Sequence, residues 1–215
     1  MCDKKLNKLL ENNKKWVASR LKFDPDFFEK LSEQHTPEYL WIGCSDARVP
    51  ANTIIGVEPG EVFVHRNVGN VISHSDSNIR AVIGYAVEVL KVKHIIVTGH
   101  YGCGAVKASL SSDSFGTVDS WVHNIRQVIR ENDKSLNGLS GEEQERKLCE
   151  LNVRTQVRNL TETTMVQEAW ANGQDLIIHG WIYDIKDGLL KDLDCVIANN
   201  KDAEKLEISK VVKDL

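Results

Sequence analysis

Three residues stand out for the chemistry that their types and spacing permit. His100-Tyr-Gly-Cys103 carries an imidazole and a thiol three positions apart, close enough for one loop to present both to a metal ion. Cys44 adds a second thiol if the segments holding Cys44 and His100 are neighbours in space. Two thiolates and one imidazole suit Zn²⁺, a borderline-soft cation that favours tetrahedral coordination. Three protein ligands leave a fourth position for water, the pattern of catalytic rather than structural zinc. A closed structural site would need Cys149 or Cys195, which lie far along the chain with no neighbouring His or Cys. Singly, a Cys is usually a small hydrophobe; the argument rests on the three together.

Asp46 and Arg48 follow directly in Cys44-Ser-Asp-Ala-Arg48. On a surface such a pair contributes only ~0–1 kcal/mol. Beside zinc it has more to do. The carboxylate can bind the metal in place of water or accept a hydrogen bond, and the guanidinium fork can hold it off the metal. Two thiolates also cancel the formal charge of Zn²⁺, so water there is acidified less than in a site of three neutral imidazoles, where its pKa falls to ~7.

The surrounding elements must bring these groups together. Tyr39–Gly43, Val62–Arg66 and His94–Thr98 read as buried strands, the second after the turn Glu58-Pro-Gly-Glu61. Asp175–His179, continuing through Trp181 and Tyr183, reads as a fourth strand, and Leu189–Ile197 as an edge. Residues 5–21 and 76–91 have helical apolar spacing, and 119–171 reads as helical with a break at Asn137–Gly141. Alternating strands and helices predict an α/β fold: a mainly parallel central sheet covered by helices on both faces, with an N-terminal helical arm. Ligands of such sheets sit at the carboxyl ends of the strands, where Cys44, His100 and Cys103 fall. We expect one domain over 1–215, with an arm at 1–35, a core at 36–200 and a charged segment at 201–215.

Bulk properties exclude some classes. With 41% apolar and 27% charged residues and a net charge of −4, nothing draws the chain to nucleic acid or anionic membranes. No stretch approaches the roughly 18 apolar residues of a membrane span, and Met1–Leu10 has no uninterrupted apolar segment of a secretory signal. Five cysteines without a disulfide rhythm predict a reducing compartment, the cytoplasm.

Cys44-Ser-Asp-Ala-Arg48 followed by His100-Tyr-Gly-Cys-Gly104 closely resembles the paired signatures of β-class carbonic anhydrases. The similarity continues through Glu58–Glu61, His65-Arg-Asn67, Cys149-Glu-Leu-Asn-Val153 and His179-Gly-Trp181. It weakens only near the two ends. The resemblance implies reversible hydration of CO₂ to bicarbonate and a proton, by attack of zinc-bound hydroxide. It makes Cys44, His100 and Cys103 the zinc ligands and Asp46–Arg48 the catalytic dyad. By position it places Phe63, Val68 and Tyr85 in the wall of the substrate pocket, with the Gly104 N–H near substrate. Trp41, Arg66 and Tyr183 match a trio of the bicarbonate-regulated subgroup. There, bicarbonate favours a closed state in which the Asp, here Asp46, replaces water on zinc. Members are homodimers or homotetramers, and the arm at 5–21 suits a partner's surface.

Two positions depart from the family pattern. Many members have a substrate-binding Gln nine positions before the first Cys ligand; here that position is His35, with Gln34 beside it. The usual Ser before the dyad Arg is Ala47. A zinc-binding regulatory or redox module would explain the thiolates but not the adjacent dyad. A CS₂ or COS hydrolase on the same scaffold would share the metal chemistry and differ only in access to the pocket.

Overall fold

The computed structural model describes residues 4–205. It forms two compact units that part at His35. The first holds α1 (Lys4–Phe23) and α2 (Phe27–Glu33). Leu6, Leu9 and Leu10 of α1 are exposed, an apolar stripe with no covering surface in that unit.

The second unit is built on five strands: β1 (Tyr39–Cys44), β2 (Val62–Asn67), β3 (His94–His100), β4 (Ile177–Asp184) and β5 (Leu189–Ile197). Their order is β2-β1-β3-β4-β5. The first four pair in parallel and β5 joins antiparallel at the edge of β4. The expected mainly parallel sheet is therefore present. β1 and β3 each run further than their apolar runs suggested, so Cys44 and His100 end strands rather than opening loops.

Helices α4 (Ser77–Gly84), α5 (Gly104–Leu110), α6 (Val118–Glu131), α8 (Gly141–Thr161) and α9 (Thr164–Ala171) contribute to the main core on one face. The long helical stretch breaks at Asn132 and Thr163 as well as at the predicted glycines, with the short α7 (Asp133–Leu136) between. Residues 85–89 widen into a π-helical turn in which Leu90 N–H donates to Tyr85 O at 2.9 Å. Glycines let α8 lie close to the sheet: a Cβ at Gly99 would stand 2.6 Å from Val153 Cγ2, and one at Gly180 3.2 Å from Val157 Cγ2.

The two faces of the sheet are covered unequally within this unit. The second face holds only a small cluster around Trp41, Val49, Ala51 and Ile96, beside α3 (Ala51–Ile55). Tyr39, His94, His179 and Trp181 remain half-buried there, and Val64 and Val196 are exposed. Apolar alternation shows that a strand has an apolar face but not whether its own chain covers that face. Residues 200–205 are helical, and the rest of the charged 201–215 segment lies outside the described residues.

Candidate metal centre

β1 and β3 are direct neighbours, with Gly43 opposite Thr98, so Cys44 and His100 leave adjacent strand ends side by side. The chain turns at Gly102, where φ is +72°, and brings Cys103 back to the start of α5. One ligand atom from each of Cys44, His100 and Cys103 lies within 4.8 Å of the others, and all three residues are buried. Among the described residues this is the one such cluster.

The donors fit zinc. The two sulfurs are 3.9 Å apart, and two Zn–S bonds of about 2.3 Å at a tetrahedral angle span about 3.8 Å. The His100 Nδ1 lies 3.0 Å from the Tyr101 carbonyl, which fixes that nitrogen as the donor and turns the Nε2 lone pair toward the cluster. Nε2 is buried with no hydrogen-bond partner in the protein, a cost that a metal bond removes. The sulfurs share a proton. Hydrogen bonding from Cys103 holds the Cys44 thiol below its ordinary range against the desolvation of its buried site. Cys103 is pushed up, because ionising it would set a second thiolate against the first in a buried site. A divalent cation is what allows both to ionise. Cys149, the possible fourth thiol, is not part of the cluster, and burial pushes it up to about 12.

Asp46 faces this cluster, with Oδ2 3.8 Å from His100 Nε2. Arg48 holds it by a fork: Nε donates to Oδ1 at 2.9 Å and Nη2 to Oδ2 at 2.6 Å. The Arg48 backbone N–H adds a third bond at 2.9 Å. These bonds keep the Asp46 carboxyl well below the usual carboxylate range. The carboxylate thus sits within a short swing of the metal position while its partner holds it back.

The remaining expected residues fall in three places. Val68 follows Asn67, the register partner of Cys44, and Gly104 follows Cys103, so both lie beside the cluster. Phe63 is in register with Leu40, four residues and so about 13 Å upstream of Cys44 along the sheet. Tyr85 packs against Phe63 with ring centroids 5.8 Å apart; this pair is not brought to the cluster of its own chain. On the second face, Arg66 Nε donates to Cys44 O at 2.7 Å, and Nη2 makes a short bond to Asp46 O. Trp41 lies over Gly43, where a Cβ would stand 2.3 Å from the indole Nε1. Tyr183 packs on the same small cluster as Trp41, with its hydroxyl 3.9 Å from a Cβ position at Gly188.

Sequence reasoning missed Thr98. It is opposite Gly43 on the Trp41 face, and both Trp41 Nε1 and Thr98 Oγ1 are buried without a partner in the protein. Only the strand register, which sequence does not print, puts two orphaned polar atoms side by side.

A buried Cys₂His set at parallel strand ends, with a restrained carboxylate beside it, defines an α/β enzyme with a catalytic metal. Comparison with known proteins makes this specific. The carbonic anhydrase family model matches residues 39–190. A carbonic anhydrase of Emericella nidulans is 48% identical over 188 residues, covering 87% of this chain and 82% of that protein. Coccomyxa β-carbonic anhydrase, solved with acetazolamide, superposes with a TM-score of 0.91 at 40% identity, covering 100% of this chain and 99% of that one. A tetrameric β-carbonic anhydrase of Sordaria macrospora gives 0.86 at 38% identity, covering 91% and 100%. The chain belongs to the β-class carbonic anhydrases. It is a CO₂-hydrating enzyme with zinc as its cofactor.

Proposed function

We propose that Cys44, His100 and Cys103 hold the zinc of a switchable CO₂ hydratase, with Asp46 as the switch and bicarbonate as the inhibitor. Zinc, when bound, supplies the Lewis acidity that makes water a nucleophile near neutral pH. The chain does the rest. Arg48 holds Asp46 off the metal and orients its carboxylate as a hydrogen-bond acceptor. Val68 and the Gly104 N–H stand at the substrate side. Phe63 and Tyr85, remote from their own cluster, join such a pocket across an interface between copies. Self-association suits the half-covered sheet face, and tetrameric relatives make a dimer or tetramer the natural form. In the proposed closed state Asp46, released from Arg48, would join Cys44, His100 and Cys103 in holding the metal and so exclude water from it. The unpaired thiols among the described residues suit a reducing compartment such as the cytoplasm.

One observation carries the regulatory reading. Arg66 clamps the carbonyls of Cys44 and Asp46, next to a buried Trp41 N–H that has no acceptor. An anion accepting from Trp41 competes for the Arg66 guanidinium, and losing that clamp frees the Asp46 segment to move to the metal. Thr98 Oγ1 and Tyr183 are further donors on that face.

The test is CO₂ hydration by stopped flow, with and without added bicarbonate, in the wild type and Trp41→Phe. The wild type is inhibited by bicarbonate and gains activity as pH rises; Trp41→Phe keeps its activity and loses the inhibition. A flat wild-type profile from about pH 6.5 to 9, or equal inhibition of both proteins, overturns the switch.

A further inference from the structure

Two residues, Tyr101 and Gly102, join His100 to Cys103, and only one of them is gripped by its surroundings. A Cβ at Gly102 would meet nothing within 4 Å, and the Gly102 carbonyl receives only a long bond of 3.4 Å from Arg48 Nη2. Tyr101 is 8% exposed, and each of its groups is engaged. Its N–H donates to Tyr183 O at 3.0 Å. Its carbonyl accepts from His100 Nδ1 at 3.0 Å. Its hydroxyl donates to Glu150 Oε1 at 2.7 Å, and the guanidinium carbon of Arg146 lies 3.5 Å from its ring centroid.

Arg146 and Glu150 are four residues apart on α8, so they stand as neighbours on one face of that helix. Arg146 is fixed in turn, because its Nη2 donates to Asp184 Oδ2 at 3.1 Å. Asp184 Oδ1 accepts from the Lys186 N–H at 3.0 Å. The α8 pair therefore grips the one buried side chain between His100 and Cys103. The carbonyl of that same residue sets how the His100 ring faces. A carbonyl only accepts, so Nδ1 carries the proton. The Nε2 lone pair, buried without a partner in the protein, is left for a metal.

We infer that Tyr101, Arg146 and Glu150 are positioning residues for the metal: gripped by the α8 pair, Tyr101 holds the His100 ring through its carbonyl. This rests on the ligand set proposed above and adds three residues to it. A ring that must find its tautomer and angle afresh at each binding event binds metal more weakly. Outer partners of metal ligands typically contribute 10–100-fold in affinity or activity.

The experiment uses the full chain loaded with cobalt, whose unpaired electrons shift the N–H proton of a coordinated imidazole away from all other protein signals. That proton exchanges with water when its hydrogen bond opens, so its exchange rate reads the Tyr101 carbonyl bond directly. The wild type should show one such signal. Tyr101→Phe removes the bond to Glu150, and Arg146→Met removes the guanidinium at similar length. Both should exchange this proton faster and lose about 10-fold in cobalt and zinc affinity by chelator competition. Arg146→Lys, which keeps a cation for the ring and for Asp184, should recover part of that loss. If the grip serves stability alone, the variants melt lower but, below their transitions, keep the wild-type exchange rate and affinity; that result overturns the inference. A cobalt-loaded wild type without the exchangeable signal refutes His100 as a ligand, and the ligand set fails together with the inference.

Discussion

Gly99 is where the closeness of helix and sheet can be tested with one methyl group. It precedes His100 of the Cys₂His cluster and lies under α8. A Cβ there would stand 2.6 Å from Val153 Cγ2 and 3.2 Å from Ile182 Cδ1, whereas carbons prefer about 3.5–4.0 Å. Val153 and Ile182 are both fully buried, so neither has space to retreat. Gly99→Ala should therefore cost about 3 kcal/mol, the upper end for overpacking a core. For a chain of this size that lowers the melting temperature by about 6–12 °C. Gly84→Ala makes the same chemical change at a helical position with φ −57° and ψ −48°, where the nearest atom is Met165 Cγ at 3.9 Å. It should gain about 0.5–1 kcal/mol, because glycine loses more freedom on folding. The assay is thermal and urea unfolding at one fixed zinc concentration, since bound metal shifts both transitions. Gly99→Ala melting at or above the wild type would refute the packing argument.

Two further outcomes follow from the charges. Arg48→Ala frees Asp46, whose Oδ2 is 3.8 Å from His100 Nε2, to bind the metal. CO₂ hydration should fall about 10–100-fold with zinc still bound, as for other outer partners of metal sites; unchanged turnover would deny the restraint. Burial holds His65 and His179 below their ordinary pKa, His179 also facing His94 and Asp192. The unfolded chain therefore takes up protons first, near pH 6.5, and stability falls as pH drops below that toward the lower folded values. The urea midpoint should decline between about pH 7 and pH 5, and less steeply in His179→Gln; a midpoint rising over that range would contradict the assignment.

The Cys44–His100–Cys103 cluster was legible because strand periodicity places Cys44 and His100 at strand ends and the H-x-x-C spacing needs only one loop. Asp46 and Arg48 were legible for a similar reason, since a two-residue spacing lets one turn close the fork. The grip of Arg146 and Glu150 on Tyr101 was not. Glu150 lies 49 residues further along the chain, and only the docking of α8 on the sheet brings the pair to that ring. Thr98 was hidden because its significance is the lack of a partner, which depends on the register of β1 against β3. The remoteness of Phe63 from its own Cys44 has the same source: adjacency to the site by motif order does not give distance along a strand.

The coordination shell of the metal is the most direct measure of the Cys₂His site. X-ray absorption at the zinc edge, on protein purified without chelators, should show one metal per chain. Its shell should hold two sulfurs at about 2.3 Å and two nitrogen or oxygen ligands at about 2.0–2.2 Å. One of the light ligands is His100 and the other is exchangeable. A metal-free protein, or a shell with three or four sulfurs and no open position, would contradict it.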